Sequence, residues 1–302
     1  MSAHNREIIA SAKRHTWLAS AAVCAAALLL SHSLCHAAET SLAIIDCGVQ
    51  QSEDAPFVSP DYHFLPGDFV YFTFQVTGFG IKTNDNGDFR QISLVYEITP
   101  EDSRGVPLAA GEKGSVEASL QPEDKNWTPK RRAHFLLPSF IAAGEYKMHV
   151  AVRDLIANTE VARDLPFQIG GVKIEPSSTV AVENFHFYRR EDDRQPLETP
   201  AYSPGDAVYA RFDMVGYKLG PGNEYHLAYG LSALRPDGKP FIDQANAAEL
   251  QESTFYPAQF VPGAIKVLTP RTALRGAYVL TLTVRDLNSS ESYQTKQVFS
   301  IE

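Results

Sequence analysis

The sequence is poor in cysteine, tryptophan and basic residues. It has 3 Cys and 2 Trp in 302 residues, and its 27 Lys and Arg are outnumbered by 36 Asp and Glu, which gives a formal charge of -9. This acidic balance argues against a nucleic-acid partner, because binding to a phosphate backbone needs clustered lysines and arginines. Gly and Pro number 19 each, which excludes a collagen-like or low-complexity chain.

The first 37 residues have the organisation of a secretory signal peptide. A basic start that contains Arg6, Lys13 and Arg14 is followed by an apolar run at 17–30 and by small residues within 35–37. The run is shorter than the about 20 residues of a spanning helix, so a membrane anchor is the weaker alternative. We predict cleavage after residue 37, a periplasmic or extracellular location, and no membrane span in the mature chain.

Removal of this leader leaves one cysteine, Cys47. A chain with a single cysteine forms no internal disulfide, so the mature protein needs a hydrophobic core that is stable without one. We interpret Cys47 as a small buried residue near the first strand, with a reactive or intermolecular thiol as the alternative. A lipoprotein signal has a small residue just before its cysteine, whereas Cys24 and Cys35 of the leader follow valine and leucine. A lipoprotein is therefore the weaker alternative.

The rest of the chain is a tandem duplication. Pro66-Gly67-Asp68 recurs as Pro204-Gly205-Asp206 at an offset of 138, and Val152-Arg153-Asp154-Leu155 recurs as Val284-Arg285-Asp286-Leu287 at an offset of 132. A boundary lies at Gly170-Gly171, and this linker is short enough to hold the repeats end to end. The predicted divisions are a signal peptide at 1–37, a first repeat at 38–171 and a second repeat at 172–302.

Within each repeat, apolar and polar residues alternate, which predicts β-strands. Residues 70–76 and 146–152 place every second side chain on an apolar face, and their copies at 208–214 and 278–284 do the same. One apolar and one polar face is typical of antiparallel sheets packed on one side. With about seven strands per repeat, the predicted fold is all-β, as two tandem immunoglobulin-like antiparallel sandwiches.

Gly144-Glu145-Tyr146 and Gly276-Ala277-Tyr278 resemble a tyrosine corner, in which a Tyr hydroxyl bonds back to nearby backbone. The final hairpins of the two repeats would then be 146–169 and 278–301. On these features the chain resembles the immunoglobulin-like and fibronectin-III-like modules of bacterial surface and periplasmic proteins. The resemblance covers both repeats at the level of the fold. The chain lacks the Cys-Trp-Cys core of true immunoglobulin domains, and the resemblance implies no binding residue.

No catalytic constellation is recognisable. The histidines of the mature chain have neither zinc-binding spacing nor an accompanying nucleophile elbow or phosphate loop; they are His63, His134, His149, His186 and His226. The alternation places His134, His149 and His226 on polar faces of strands, where we interpret them as solvated surface residues. We therefore predict no catalytic residue, no cofactor-binding residue and no metal ligand.

Two acidic features have the chemistry of calcium ligands without the spacing. We interpret 84–88 and its counterpart 220–223 as hairpin turns. Glu53-Asp54 and its match at 191–193 are interpreted as solvated loops, with a calcium site near the junction of the repeats as the alternative. The Asp of each Val-Arg-Asp-Leu segment is interpreted as a turn residue beside a surface arginine.

These features together predict an exported, non-catalytic interaction or scaffold protein with a protein partner, which would bind through loops or an exposed sheet edge. One alternative is a polysaccharide-binding protein that uses Trp127 and aromatic residues on a sheet face. Another is an accessory subunit or inhibitor of a secreted enzyme. Neither nucleic acid nor a membrane is an expected partner.

Overall fold

A computed structural model describes residues 41–83, 90–121, 123–124 and 126–302. The predicted signal peptide and the predicted turn at 84–88 lie outside these residues and stay predictions. Residues 41–302 form one compact unit. In the part of the chain that the structure describes, no helix has the length and apolar character needed to cross a membrane.

The described chain consists mainly of β-strands. Those of the first repeat are β1 (Ala43–Gln50), β2 (His63–Phe64), β3 (Phe69–Thr77), β4 (Lys82–Thr83), β5 (Arg90–Glu101), β6 (Glu112–Leu120), β7 (Lys130–Leu136), β8 (Gly144–Asp154) and β9 (Thr159–Ile169). Those of the second repeat are β10 (Ala181–Tyr188), β11 (Ala201–Tyr202), β12 (Ala207–Val215), β13 (Glu224–Leu234), β14 (Pro240–Ser253), β15 (Val261–Leu268), β16 (Gly276–Asp286) and β17 (Ser292–Ile301).

Each repeat contains two sheets that enclose one core, and we call these units the first and the second sandwich. In the first, the sheet β1-β3-β7 faces the sheet β2-β9-β8-β5-β4, whose β5 also pairs with β6. In the second, β10-β12-β15 faces β11-β17-β16-β13-β14. This order is that of an immunoglobulin-like sandwich, so the predicted fold class is confirmed. The domain bounds 38–171 and 172–302 stay a prediction.

The predicted alternation selects the core residues. Phe72 and Phe74 of β3 share the first core with Met148 of β8, and Phe212 of β12 shares the second core with Leu280 of β16. The predicted final hairpins are present as β8–β9 and β16–β17. Burial of such large side chains gives each sandwich its main stabilising free energy without a disulfide.

Both predicted tyrosine corners are present. The hydroxyl of Tyr146 donates to the carbonyl of Ala142 at 2.8 Å, and that of Tyr278 donates to the carbonyl of Leu274 at 3.0 Å. Each bond spans four residues, so the tyrosine fixes the loop that enters its own strand. The two loops therefore occupy equivalent places in the two sandwiches.

Asp154, at the end of β8, is a buried residue that joins two loops. Its carboxylate accepts hydrogen bonds from the backbone N–H groups of Ile156 at 2.8 Å and Ala157 at 3.1 Å, and from that of Gly80 in the loop after β3. The predicted turn-forming role is confirmed. The carboxylate additionally ties the β8–β9 turn to a loop that comes from the opposite sheet.

Asp286 repeats this arrangement in the second sandwich. It is buried, and its carboxylate accepts the backbone N–H groups of Asn288 at 3.0 Å and of Lys218 at 2.9 Å. The Asp286 carboxylate also accepts the Ser289 hydroxyl. A buried carboxylate that is hydrogen-bonded in this way is a structural feature, and both sandwiches have it.

The interpretation of 220–223 as a hairpin turn is wrong. Pro221–Asn223 forms a short 3-10 turn that connects β12 to β13, and these strands belong to different sheets. Gly222 has a φ of 70°, which favours glycine. Gly, Pro and Asn are typical of a turn between paired strands and also of a connection between two sheets. The sequence pattern therefore does not distinguish a hairpin from a connection between sheets.

We predict that Asp154→Ala lowers the free energy of unfolding by about 2–4 kcal/mol, because three backbone donors lose a charged acceptor. The matched control is Arg153→Ala, which removes an exposed side chain hydrogen-bonded to Asn158 and should change stability by less than about 0.5 kcal/mol. Urea unfolding followed by circular dichroism measures both. Equal losses for the two variants would contradict the structural role of Asp154.

Candidate binding surface at the junction of the sandwiches

The two sandwiches exchange an aromatic side chain. Tyr256, in the loop between β14 and β15 of the second sandwich, is buried in the first core. Phe140, in the loop before β8 of the first sandwich, packs against the second core, with its ring centroid 6.1 Å from that of Phe260. Since each side chain depends on the other sandwich for its burial, the junction holds the repeats together, as expected from the short linker.

Hydrogen bonds to Gln259 complete the junction. Its backbone N–H donates to the carbonyl of Phe140 at 3.1 Å, and its side-chain oxygen accepts the N–H of Ala142 at 2.6 Å. Its side-chain nitrogen donates to the hydroxyl of Tyr256 at 2.8 Å, and that hydroxyl lies 3.3 Å from the carboxylate of Asp102. One amide thus joins both inter-sandwich loops, and its polar atoms are satisfied.

Asp102 is a buried acid at this junction. Burial tends to raise its pKa, but the N–H groups of Val106 and Arg104 and the Arg104 guanidinium, 3.0 Å away, outweigh burial and hold the pKa below its usual value. Burial raises the pKa of Tyr146 to about 12 and also raises that of Tyr256. Both tyrosines are therefore protonated at neutral pH and can donate hydrogen bonds.

A groove of about 530 Å³ lies beside the junction. Its lining residues are Leu108–Ala110, Leu136–Phe140, Glu252–Tyr256 and Ala258. Most of these side chains are apolar or aromatic, and two of them are unusually exposed for their size. Leu136 is 53% exposed and Phe255 is 61% exposed. An apolar groove between structural units is a common location for a ligand.

The outer face of β3 and β7 continues this groove. Phe69 pairs across the strands with Leu136, and Tyr71 pairs with His134. The ring centroids of Phe69, Tyr71 and His134 lie 5.6 to 6.4 Å from one another. We define the junction surface as the groove together with Phe69, Tyr71 and His134. An exposed apolar surface of this kind marks an interaction site in many proteins.

The second sandwich has a less aromatic version of this face. Tyr209 and Lys266 occupy the positions of Tyr71 and His134, and the Lys266 ammonium lies 5.3 Å from the centre of the Tyr209 ring. Ala207 stands where the first sandwich has Phe69. The cationic side chain covers part of the only ring at these positions, so the candidate surface belongs to the first sandwich and its junction.

A sheet edge was the other predicted binding element, and β14 is the longest edge strand described, with 14 residues. Its pairing with β13 shifts register near Gly230. At this irregularity the Arg285 guanidinium donates to the carbonyl of Ala245 at 3.0 Å. Bulges and occupied backbone acceptors hinder the addition of another strand, which makes this edge the weaker candidate.

Trp127 lies outside the junction surface. It is 38% exposed, and its ring is edge-on to that of Phe79 at 6.4 Å.

Two of the predicted surface histidines pair with acids on outer sheet faces. His149 lies 2.6 Å from Asp164, and the equivalent distance for His226 and Glu249 is also 2.6 Å. The polar-face positions predicted for these histidines are confirmed.

The acidic segments are engaged locally. Glu53 and Asp54 lie 2.9 and 3.3 Å from the guanidinium of Arg132, and Asp193 accepts the N–H of Arg190 at 2.9 Å. Within the described ranges, no group of three or more His, Cys, Asp or Glu side chains is arranged to hold a metal ion. The position predicted for 191–193, near the junction of the repeats, is wrong, because this loop follows β10 beside the start of β12, at the end of the second sandwich that lies away from the junction. The solvated-loop interpretation stays a prediction.

Cys47 is half-buried against the first core. Burial raises the pKa of its thiol, and the nearby Arg163 offsets only part of this increase. A thiol whose pKa is raised is a poor nucleophile at neutral pH, which agrees with its interpretation as a small core residue.

Sequence reasoning did not single out Tyr256, Gln259 or Phe255. A signal was available in the duplication, because the loop at 254–260 contains three aromatic residues and the corresponding loop at 121–129 contains one. Aromatic residues present in one copy of a loop and absent from the other indicate a copy-specific contact. Phe69 was a second signal, because the alternation of β3 places this aromatic residue on the polar face of the strand.

Comparisons with known proteins give distant similarities. No protein-family model and no curated protein matches the sequence. Among solved structures, the C-terminal domain of the Streptococcus agalactiae antigen I/II polypeptide BspA matches at 14% identity over 84% of this chain and 99% of that one, with a TM-score of 0.28. The corresponding domain of Streptococcus pyogenes AspA matches at 12% identity over 84% and 98%, with a TM-score of 0.29.

A family 123 glycoside hydrolase from Clostridium perfringens matches at 14% identity, with a TM-score of 0.29, over 41% of this chain and 27% of its own. At TM-scores this low, none of these similarities transfers a function. The immunoglobulin-like assignment therefore depends on the strand order and the tyrosine corners described above.

We predict that Tyr256→Ala destabilises the protein by about 3–5 kcal/mol, because it leaves a cavity in the first core although the residue belongs to the second sandwich. The adjacent Phe255→Ala is the matched control and should cost less than about 1 kcal/mol, since that ring is mostly exposed. Thermal unfolding measures both. A small effect of Tyr256→Ala would show that the junction contributes little.

We also predict an acid-dependent contribution from Asp102. A carboxylate whose folded pKa lies below its unfolded pKa stabilises the protein above the unfolded pKa, and this stability is lost as the pH falls through the folded pKa. Asp102→Asn should therefore be destabilising at neutral pH, and its difference from the parent should shrink as the pH falls to about 2.

Urea unfolding at several pH values tests this prediction. The control is Asp237→Asn, which breaks the ion pair of Asp237 with Arg235; the side chain of Asp237 is 35% exposed against 6% for Asp102, so its loss should have the smaller effect at neutral pH. A loss for Asp102→Asn that is constant from neutral to acid pH would contradict the assigned role of the carboxylate.

Proposed function

We propose that this chain is an exported, non-catalytic interaction protein that binds a protein partner through the junction surface. The main observation that supports this proposal is the continuous exposed apolar area formed by Leu136, Phe255 and the aromatic cluster at Phe69. Export is inferred from the leader at 1–37, and its location would be the periplasm or the extracellular space. A scaffold, an accessory subunit and an inhibitor of a secreted enzyme are forms of this role.

The composition of the groove favours an apolar protein segment as the ligand. Leucine, alanine, proline and phenylalanine side chains dominate its lining, and Glu252 is already hydrogen-bonded to the Tyr225 hydroxyl at 2.8 Å. Aliphatic and aromatic side chains of a partner gain most from burial in such a groove. Because the junction fixes both walls of the groove, the site is largely pre-formed, which lowers the entropic cost of binding.

The paired titratable groups support a non-catalytic role. The His149–Asp164 and His226–Glu249 pairs lie on outer faces of the two sandwiches. Lys147 shares Asp164 at 2.8 Å, so that carboxylate already has a second partner. These are ordinary hydrogen-bonded pairs on the surface, and an acid or base for catalysis needs a substrate-sized cleft beside it.

A polysaccharide is the second candidate ligand, favoured by the three rings of Phe69, Tyr71 and His134 on one sheet face. Rings on a sheet face can stack against sugars. Pelleting with insoluble glycans tests it, since this ligand predicts that Phe69→Ala or Trp127→Ala reduces the pelleted fraction. Absence of pelleting by the parent protein would remove the candidate.

We predict that a photo-crosslinking residue in place of Phe255 captures a protein partner in the native cells, whereas the same residue in place of Val298 does not. Val298 is an exposed apolar residue on β17, away from the groove. The captured partner is then purified and its affinity for the parent protein is measured by calorimetry.

The expected result is that Leu136→Asp or Phe255→Asp weakens this affinity by tenfold or more, which is about 1.4–3 kcal/mol for an interface anchor. Val298→Asp should leave it unchanged. If all three variants bind alike, or if crosslinking is equal at the two positions, the junction surface is not the binding site.

A further inference from the structure

The internal junction joins opposite ends of two similar sandwiches. The first sandwich contributes the end where β7 finishes at Leu136 and where the tyrosine-corner loop contains Phe140 and Ala142. The second contributes the end where β15 begins, preceded by the loop with Tyr256 and Gln259. A duplicated protein therefore has one further end of each type, which the internal junction does not use.

The outer end of the first sandwich is centred on Trp127. This residue precedes β7, whose seven residues place it roughly 20 Å from the junction. In sequence, the segment 121–129 that contains Trp127 corresponds to the second sandwich's docking loop at 254–260. The offset of 132 between β7 and β15 puts Trp127 at the position of Gln259, and Ile81 is also exposed at this end.

The outer end of the second sandwich exposes leucines at the matching positions. Leu268 is 70% exposed and corresponds to Leu136, which lines the internal groove. Leu274 is 44% exposed and corresponds to Ala142, whose backbone N–H donates to the side chain of Gln259 at the internal junction. The Leu274 carbonyl is held by the Tyr278 hydroxyl, so the two tyrosine-corner loops present these positions in the same way.

We propose that the Trp127 end of one molecule binds the Leu268–Leu274 end of a second copy, so that the chain associates head to tail. The occupant is a copy of this chain because the molecule already contains one joint between these two kinds of end, and both outer ends expose large apolar side chains, which are Trp127 at one end and Leu268 and Leu274 at the other. By the offset of 132, Asp124 and Thr272 stand where the internal joint has Tyr256 and Phe140, so the contact between copies uses different side chains from the internal one. Such a contact is heterologous, and repeated binding produces open chains of molecules unless the geometry closes a ring. This proposal uses neither the groove nor its partner.

Sedimentation velocity of the exported form, at protein concentrations up to about 1 mM, measures the association. We expect species larger than a monomer that grow with concentration. Trp127 provides a second readout, because the other tryptophan, Trp17, lies in the predicted leader. Its fluorescence should shift to shorter wavelength as association removes the indole from water.

Two single variants and their mixture test the polarity of the contact. Trp127→Asp and Leu274→Asp should each be monomeric at concentrations where the parent associates, and Val298→Asp should associate as the parent does. An equimolar mixture of the first two should form a one-to-one dimer and nothing larger, since each contributes the end that the other lacks. Circular dichroism and melting temperature establish that each variant is folded.

A parent protein that is monomeric throughout this concentration range would overturn the proposal. Association that survives both aspartate variants would also overturn it, because the contact would then lie elsewhere. If the mixture stays monomeric although each folded variant has lost association, the contact is symmetric rather than head to tail, and the proposal fails as well.

Discussion

The reciprocal burial of Tyr256 and Phe140 is the constraint on which the rest of this structure depends. Tyr256 is fully buried and Phe140 is partly buried, and each owes this burial to the other sandwich. An aromatic side chain buries a large apolar area, and its burial outweighs the conformational entropy that a fixed junction costs.

The polar contacts make the junction specific. Gln259 satisfies backbone groups of the first sandwich, and Asp102 holds a charge beside Arg104 where the Tyr256 hydroxyl approaches. Buried groups of this kind contribute little net free energy but cost much when one partner is missing. They therefore select one arrangement among several that would bury similar apolar area.

The fixed junction has a functional consequence, because it creates a surface that neither sandwich has alone. Leu136 comes from one sandwich and Phe255 from the other, yet both line one groove. A ligand that binds there contacts both units, so its affinity depends on the junction. The same logic of paired ends extends from the internal joint to the proposed contact between molecules.

The sequence by itself determined the repeating unit and its strands. Alternation of period two, the repeated Asp154 and Asp286, and the paired tyrosine corners are local patterns, and local geometry was sufficient to interpret them correctly. The turn at 220–223 was misjudged because its neighbouring strands separate into different sheets, which a local pattern does not encode.

Only the tertiary structure decided where the candidate surface lies. Phe69 and Leu136 are 67 residues apart in sequence and are paired across two strands, and Phe255 reaches the same groove from the second repeat. Contacts between distant segments depend on sheet order, register and the packing of one sandwich on the other, none of which is a property of any single segment. The physical reason is that burial is shared among segments, so the exposure of one side chain is settled only when all its neighbours are in place.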